Sequence, residues 1–352
     1  MAKRTYTYDG SEWVGLTSTT ADLSNYANMT TTPISGFRNA IINGGFDIWQ
    51  RGTSFSPTNG SYNADRWLTW LDGSGSTRSI TQQSFSPGSG VIPGQEPKYF
   101  LRYNQSVAGS GATYNYLLQK IEDVRTFAGQ TVSISFWAKT SANTTIPGVL
   151  IGQAYGSGGS PSSFQYTTVA TSVALTTSWT KFTYTVLVPS LSGKTLGTNP
   201  DSSLHLFFSL PINATFTFDV WGVQVEPGTR ATPFEKRHIG TELALCQRYY
   251  QMLKSGATNS PVLTRIYSTQ NNYDGMISYL VKPRISSGFN YSVNSPANVI
   301  HKPGIRWDTI SSITFTDMGS YLHIACTPSA DDGGAMLGMY LYGIDIFCNA
   351  EL

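Results

Sequence analysis

Between residues 130 and 226, apolar side chains fall repeatedly on every second position. Val132, Ile134 and Phe136 alternate with Ser133, Ser135 and Trp137. Phe182, Tyr184, Val186 and Val188 alternate with Lys181, Thr183 and Thr185, and Leu204, Leu206, Phe208 and Leu210 with His205 and Ser209. A period of two is the signature of strands with one buried face. Gly-, Pro- and Ser-rich stretches separate the runs: GSGST at 73–77, PGSGVIPGQEP at 87–97, YGSGGSPSS at 155–163 and PSLSGK at 189–194. Many short strands between turn clusters, with almost no helical period, predict a sandwich or jelly roll over residues 38–236.

The pattern changes over 216–250. Phe216, Phe218 and Val220 share one face, and then the apolar phase passes to Trp221, Val223 and Val225. Such a flip predicts a bulge, or a strand buried on both faces. Pro227 and Gly228 end that strand. Thr241 is the expected helix cap, with Glu242 in the first turn. Ile239, Leu243, Cys246, Tyr250 and Leu253 recur at three- and four-residue spacing, so a linker helix over 237–253 is expected to bury that stripe. Alternation resumes in 254–352, for example at Met276–Val281, SITF (312–315) and YLHIAC (321–326), and predicts a second, smaller β domain. The fold class is therefore all-β: a jelly-roll β-sandwich plus a smaller C-terminal β-sandwich, joined by one short α-helix.

Residues 1–37 differ. YTYDGSEWVGL predicts one hairpin around Asp9–Gly10, followed by a Thr-, Ser- and Asn-rich stretch without a period. Trp13, Leu16, Leu23 and Tyr26 are more apolar than a free tail needs, and are expected to be ordered by a partner as an attachment or oligomer contact.

Composition narrows the function classes. Only 12% of residues are charged, 13% are aromatic, and the net charge is +2 without a basic block. That argues against nucleic acid, whose affinity comes mainly from clustered Lys and Arg. The polar start MAKRTYTYDG holds no secretory apolar core, and MLGMYLYGIDIF at 336–347 is too short to span a bilayer, so no membrane insertion is expected. The three cysteines, Cys246, Cys326 and Cys348, fit no metal pattern and are read as buried small hydrophobes, consistent with a reducing cytoplasm.

No catalytic set stands out. The four histidines are scattered, the glycine-flanked serines lie in turns, and the acid pairs Asp331–Asp332 and Glu122–Asp123 are ordinary turn residues. The protein is expected not to be an enzyme. Sugar binding suits the residues better, because apolar sugar faces stack on aromatic rings while hydroxyls need polar partners. Trp67 and Trp70 in RWLTW are read as projecting to one side, with Trp67 alternatively in the core. Trp70, Tyr103, Tyr114 and Tyr116 are the candidate ligand-binding residues. Arg230, Glu235, Lys236 and Arg237 are expected to fix the domain junction or a subunit contact.

The run NAIINGGFDIWQRG with ADRW at 64–67, the strand-and-linker pattern VQVEPGTRATPFEKR with ELALCQRYY, and the closing NAEL at 349–352 resemble bacteriophage virion proteins. These are tail-fibre and other particle-surface proteins with a carbohydrate-binding-type jelly roll. The resemblance implies a virion structural protein assembled in the host cytoplasm. It would attach to other virion proteins through 1–37, form a homotrimer and bind a host-surface glycan. From such jelly rolls it also implies a structural Ca²⁺ held in part by Asp47 and Asp219. Two other functions stay open: a capsid-decorating or collar protein making only protein contacts, and a polysaccharide depolymerase.

Overall fold

A computed structural model of the chain describes residues 6–8, 13–15, 37–254, 268–269, 272–284, 290–293, 299–302, 306–318, 321–328, 340–342 and 346–352. The chain divides into two units, Met1–Arg38 and Asn39–Leu352. In the first, β1 (Tyr6–Tyr8) and β2 (Trp13–Gly15) form the expected hairpin, with Tyr6 opposite Gly15. Trp13 is placed by its backbone in β2, and Leu16, Leu23 and Tyr26 lie outside the described residues.

The second unit begins with a jelly-roll sandwich. Its strands are β3 (Ser54–Phe55), β4 (Trp67–Leu71), β5 (Thr77–Ser84), β6 (Tyr99–Val107), β7 (Asn115–Glu122), β8 (Thr131–Lys139), β9 (Thr144–Ala154), β10 (Gln165–Leu175), β11 (Thr180–Leu187), β12 (Ser203–Ser209) and β13 (Phe216–Pro227). They pair into a five-stranded sheet in the order β10-β9-β12-β7-β4 and a six-stranded sheet in the order β11-β8-β13-β6-β5-β3. The alternation found in the sequence lines the space between them. Val132, Ile134 and Phe136 of β8 meet Leu204, Leu206 and Phe208 of β12 in one core that also holds Trp67, Leu117 and Tyr103. Each such side chain removed from water contributes roughly 1.5–3 kcal/mol.

Strand β13 carries the bulge that the phase flip predicted. Its register against β8 shifts between Trp221 and Gln224, where Gly222 has φ +65°. Phe216, Phe218 and Val220 therefore face the main core, as do Val223 and Val225 beyond the bulge. Trp221 alone turns outward, into a second cluster with Phe85, Ile92 and Phe100. The NGGF turn docks against this bulge. Val223 N–H donates to the Gly44 carbonyl at 3.0 Å, and a Cβ on Gly44 would overlap the Val223 carbonyl oxygen. Asn43 holds the turn's shape, donating to the carbonyls of Ile48 (2.8 Å) and Asp65 (3.1 Å).

The linker helix is shorter than the sequence predicted. α1 runs Ile239–Gln247, capped by His238, whose Nδ1 accepts from Gly240 N–H at 3.2 Å, rather than by Thr241. Of the expected stripe, Cys246 is buried within the helix, whereas Ile239 is 53% exposed. Tyr250 starts a strand, Tyr250–Lys254, paired with Ile346–Asn349. The ladder wins over the helical period because it brings the Tyr249 and Tyr250 rings under two arginines.

Strand Ile346–Asn349 is the centre of a three-stranded sheet completed by Asn290–Val293. The other C-terminal strands form a six-stranded antiparallel sheet, ordered Ser268–Thr269, Asn272–Ser278, Tyr321–Pro328, Arg306–Asp317, Val299–Lys302, Tyr340–Tyr342. The closing apolar run thus divides between two sheets. Cys246 and Cys348 are buried, and the side chain of Cys326 lies outside the described residues.

The motifs from ends of this unit far apart in sequence meet at one buried joint. Arg51 bridges Asp65 and Glu351, each at 3.1 Å. Arg66, 1% exposed, pairs with the other Glu351 oxygen and donates to the Lys120 carbonyl at 2.6 Å. The Arg51 guanidinium lies 3.6 Å from the Tyr250 ring centre. Burial pushes the Asp65 carboxyl up although Arg51 opposes it, which is the desolvation cost expected of charges taken from water.

Candidate functional site

The outer face of the five-stranded sheet carries an aromatic surface. Along β4 the pleat sends Trp67 inward and Leu68 and Trp70 outward, so Trp67 and Trp70, three residues apart, lie on opposite faces and not on one side. Trp67 is fully buried; Trp70 is half-buried. The register places Trp70 directly across from Tyr116 of β7. Phe207 of β12 packs beneath both, 5.5 Å from Trp70 and 5.3 Å from Tyr116 between ring centres. Tyr114 stacks on Tyr116 at 5.9 Å and 15°. Just before β10, Phe164 lies on Gly152, where a Cβ would overlap its ring, and packs against Tyr166 of that strand, which is 50% exposed.

Asn59, Trp70, Thr113, Tyr114, Tyr116 and Tyr166 enclose an open cleft of about 460 Å³. The Trp70 indole N–H and the hydroxyls of Tyr114, Tyr116 and Tyr166 have no hydrogen-bond partner among the described residues. Four aromatic faces with four free polar tips can stack on an apolar ring face and bond its hydroxyl groups.

The ionisable groups near the cleft are engaged elsewhere. Asp72 Oδ1 accepts from the backbone N–H groups of Thr113 (2.7 Å) and Tyr114 (3.0 Å), and Oδ2 from the Thr113 hydroxyl at 2.5 Å. These bonds, the Thr113 hydroxyl first, hold its carboxyl below the usual range. The Lys120 ammonium lies 5.7 Å from the Trp70 ring centre but donates to the Leu352 carbonyl at 2.5 Å. Burial, reinforced by Arg66 and Arg284, lowers its pKa to about 8. Beneath the platform, His205 is paired through Nε2 with the Ser203 hydroxyl at 2.8 Å, while its buried Nδ1 has no partner. Burial, then Lys120, lowers its pKa to about 3, so it is neutral near pH 7.

Trp70, Tyr114 and Tyr116 are thus brought together as the sequence grouped them. Tyr103 is not. It is fully buried in the main core, stacked on Phe216 at 5.6 Å, and its hydroxyl donates to Asn115 Oδ1 at 2.8 Å. Parity explains this: Leu101, Tyr103 and Gln105 are the inward positions of β6. Tyr166, Thr113 and Asn59 escaped the sequence reading. Phe164 and Tyr166, two apart beside a glycine-rich turn, carried the only signal for Tyr166.

Of the two acids expected at a calcium ion, Asp219 has other partners. Both Asp219 oxygens accept from Arg102 at 2.7 Å, with Lys139 at 3.8 Å. Asp47, its carboxyl pushed up by burial, borders a water-sized cavity with Glu235 and Glu242. There the oxygens are gathered by a guanidinium: Arg237 donates to the carbonyls of Asn39 and Ile41 and pairs with Glu242 at 3.2 Å. Among the described residues no group of three or more His, Cys, Asp or Glu could hold a metal ion. This donor set does not fit calcium, which needs six to eight oxygens free of competing cations.

No family model matches the chain, and no curated protein does. Solved structures give partial matches. A CBM4 protein is 18% identical, covering 53% of this chain and 98% of its own, with a TM-score of 0.32. The enzymatically active domain of bacteriophage CBA120 tailspike protein 4 is 16% identical over 55% of this chain and 22% of its own, with a TM-score of 0.33. A family 11 carbohydrate-binding module from Clostridium thermocellum, in complex with a β-1,3-1,4-mixed-linked tetrasaccharide, is 11% identical over 51% of this chain and 99% of its own, with a TM-score of 0.31. Among the described residues no helix is long and apolar enough to cross a membrane.

Proposed function

We propose that the protein is a bacteriophage virion-surface component, a tail-fibre or other surface-fibre protein, which binds host-surface glycans on the outer face of its five-stranded sheet. The observation that carries glycan binding is the cleft itself, where Trp70, Tyr114, Tyr116 and Tyr166 present ring faces together with unpartnered polar tips. The virion assignment is supported by the NGGFDIWQRG, ADRW and ELALCQRYY motifs. Residues 1–37 then attach the protein to other virion proteins, and the particle carries it as a homotrimer.

Binding without cleavage is the reading favoured by the lining. Glycoside hydrolysis needs two carboxyl groups flanking the bond, and none of the six lining residues is acidic.

A glycan array probed with the full chain and with Trp70→Ala tests this function. Binding that disappears in the variant supports it; no binding by the full chain, or binding indifferent to Trp70, overturns it. Immunogold labelling of purified particles tests the virion assignment separately.

A further inference from the structure

Resting on the glycan-binding reading above, we infer that the cleft selects uncharged glycans over carboxylate-bearing ones, and that Asp72 sets this preference. Among the described residues the lining is two amide or hydroxyl side chains and four aromatics, with no ionisable acid or base apart from the tyrosine phenols. A neutral sugar ring finds what it needs there: faces for its C–H groups, and phenolic hydroxyls that both donate to and accept from its own.

A uronic or sialic acid meets a different surface. Where its carboxylate packs on the rings it would lose part of its hydration with no cation among the six lining residues to pair it, which is costly for a desolvated charge. Among the described residues the ammonium beside the cleft is that of Lys120, half-buried 5.7 Å from the Trp70 ring centre and already donating to the main-chain oxygen of Leu352. Among the described residues the anion bonded to the lining is Asp72. Its three bonds to Thr113 and Tyr114 fix an exposed negative charge beside two lining residues, where it repels a second carboxylate. The same bonds hold the Thr113–Tyr114 turn from which Tyr114 reaches Tyr116. Asp72 is therefore a specificity-determining residue that works through the turn it anchors and the field it leaves.

The test is an array of neutral oligosaccharides and their uronic- or sialic-acid-bearing counterparts, read at low and at physiological salt. The full chain, Asp72→Asn and Trp70→Ala are compared, each checked for folding by its melting temperature. The full chain is expected to bind neutral glycans about tenfold or more tightly than their acidic counterparts, the ratio expected when a carboxylate is desolvated unpaired. Added salt should narrow that ratio, since screening weakens the Asp72 field at this open site. Asp72→Asn, which keeps an acceptor for the turn but removes the charge, should narrow it roughly threefold or more, whatever happens to absolute affinity. A folded Asp72→Asn with an unchanged ratio, or acidic glycans bound as tightly as neutral ones by the full chain, overturns the inference while leaving glycan binding intact. Absence of binding to every glycan, or binding that persists in Trp70→Ala, overturns the glycan face itself and the inference with it.

Discussion

The Arg66 guanidinium lies 3.5 Å from the centre of the Tyr249 ring while its Nη1 pairs with Glu351. Arg66 has φ +71°, a left-handed conformation that side chains other than glycine rarely adopt. A residue is held there only when its surroundings over-determine it, and here a stacked ring, a carboxylate and the Lys120 carbonyl do so together. The joint therefore contributes more to the fixed geometry of the unit than its ion pairs alone.

Removing the shared acid should open that joint. Glu351→Ala leaves Arg66 buried without its counter-charge, and is expected to lower the unfolding free energy by about 3–5 kcal/mol. Urea denaturation of the variant and the parent chain measures this. A change below the error of extrapolation would mean that Arg66 is compensated elsewhere.

Acid should weaken the sandwich from beneath the platform. His205 titrates near pH 3 when folded against an ordinary 6.5, so between those values the unfolded chain binds more protons. Its contribution is present above pH 6.5 and is lost as the pH falls towards 3, on the order of a few kcal/mol in total. His205→Phe should flatten the melting temperature between pH 6.5 and 4 relative to the parent chain. An equally steep fall in both proteins would assign the acid limb to carboxylates.

The two parities of aromatic residue should separate cleanly in binding. Trp70→Ala and Tyr116→Ala are expected to weaken glycan binding roughly tenfold or more, as truncations at the centre of a contact surface do. Tyr103→Phe should leave affinity unchanged and cost about 1 kcal/mol of stability for its lost bond to Asn115. Titration calorimetry and denaturation of the same samples distinguish the two effects.

Chelation should not matter to the fold. Because Arg237 gathers the oxygens around the opening turn, EDTA is expected to leave the melting temperature of the full chain unchanged. Arg237→Ala is expected to destabilise it by about 3 kcal/mol or more, since Glu242 loses its partner. A melting temperature that rises with added Ca²⁺ would reverse this assignment.

Much of the sandwich was legible because its strands keep strict parity. The inward sets of β8 and β12 match the alternation residue for residue, and the phase flip after Val220 marked the bulge at Gly222. The site was half legible. Trp70, Tyr114 and Tyr116 could be grouped from a polar, aromatic context, but parity had to be counted to exclude Tyr103 and to part Trp67 from Trp70. Tyr166 and Asn59 come from other segments, and only the strand order brings them to the cleft. The helix was overextended because Tyr250 and Leu253 fit its period, and local periodicity does not reveal the arginines that draw the two tyrosines into the joint. Arg237, beside the position where the resemblance implies a calcium ion, comes from a distant loop and likewise leaves no local trace in the sequence.

The joint also sets a timetable for the nascent chain. Arg66 and Glu351 are 285 positions apart, so the arginine leaves the ribosome long before the acid that neutralises it. Synthesis at about 5–20 residues per second puts at least roughly a quarter of a minute between them. During that interval Arg51 already has Asp65 as a counter-charge, whereas the Arg66 guanidinium waits for its own in contact with solvent. A chain interrupted before its last few residues would carry the aromatic cleft yet lack the clasp, leaving Arg66 without its carboxylate.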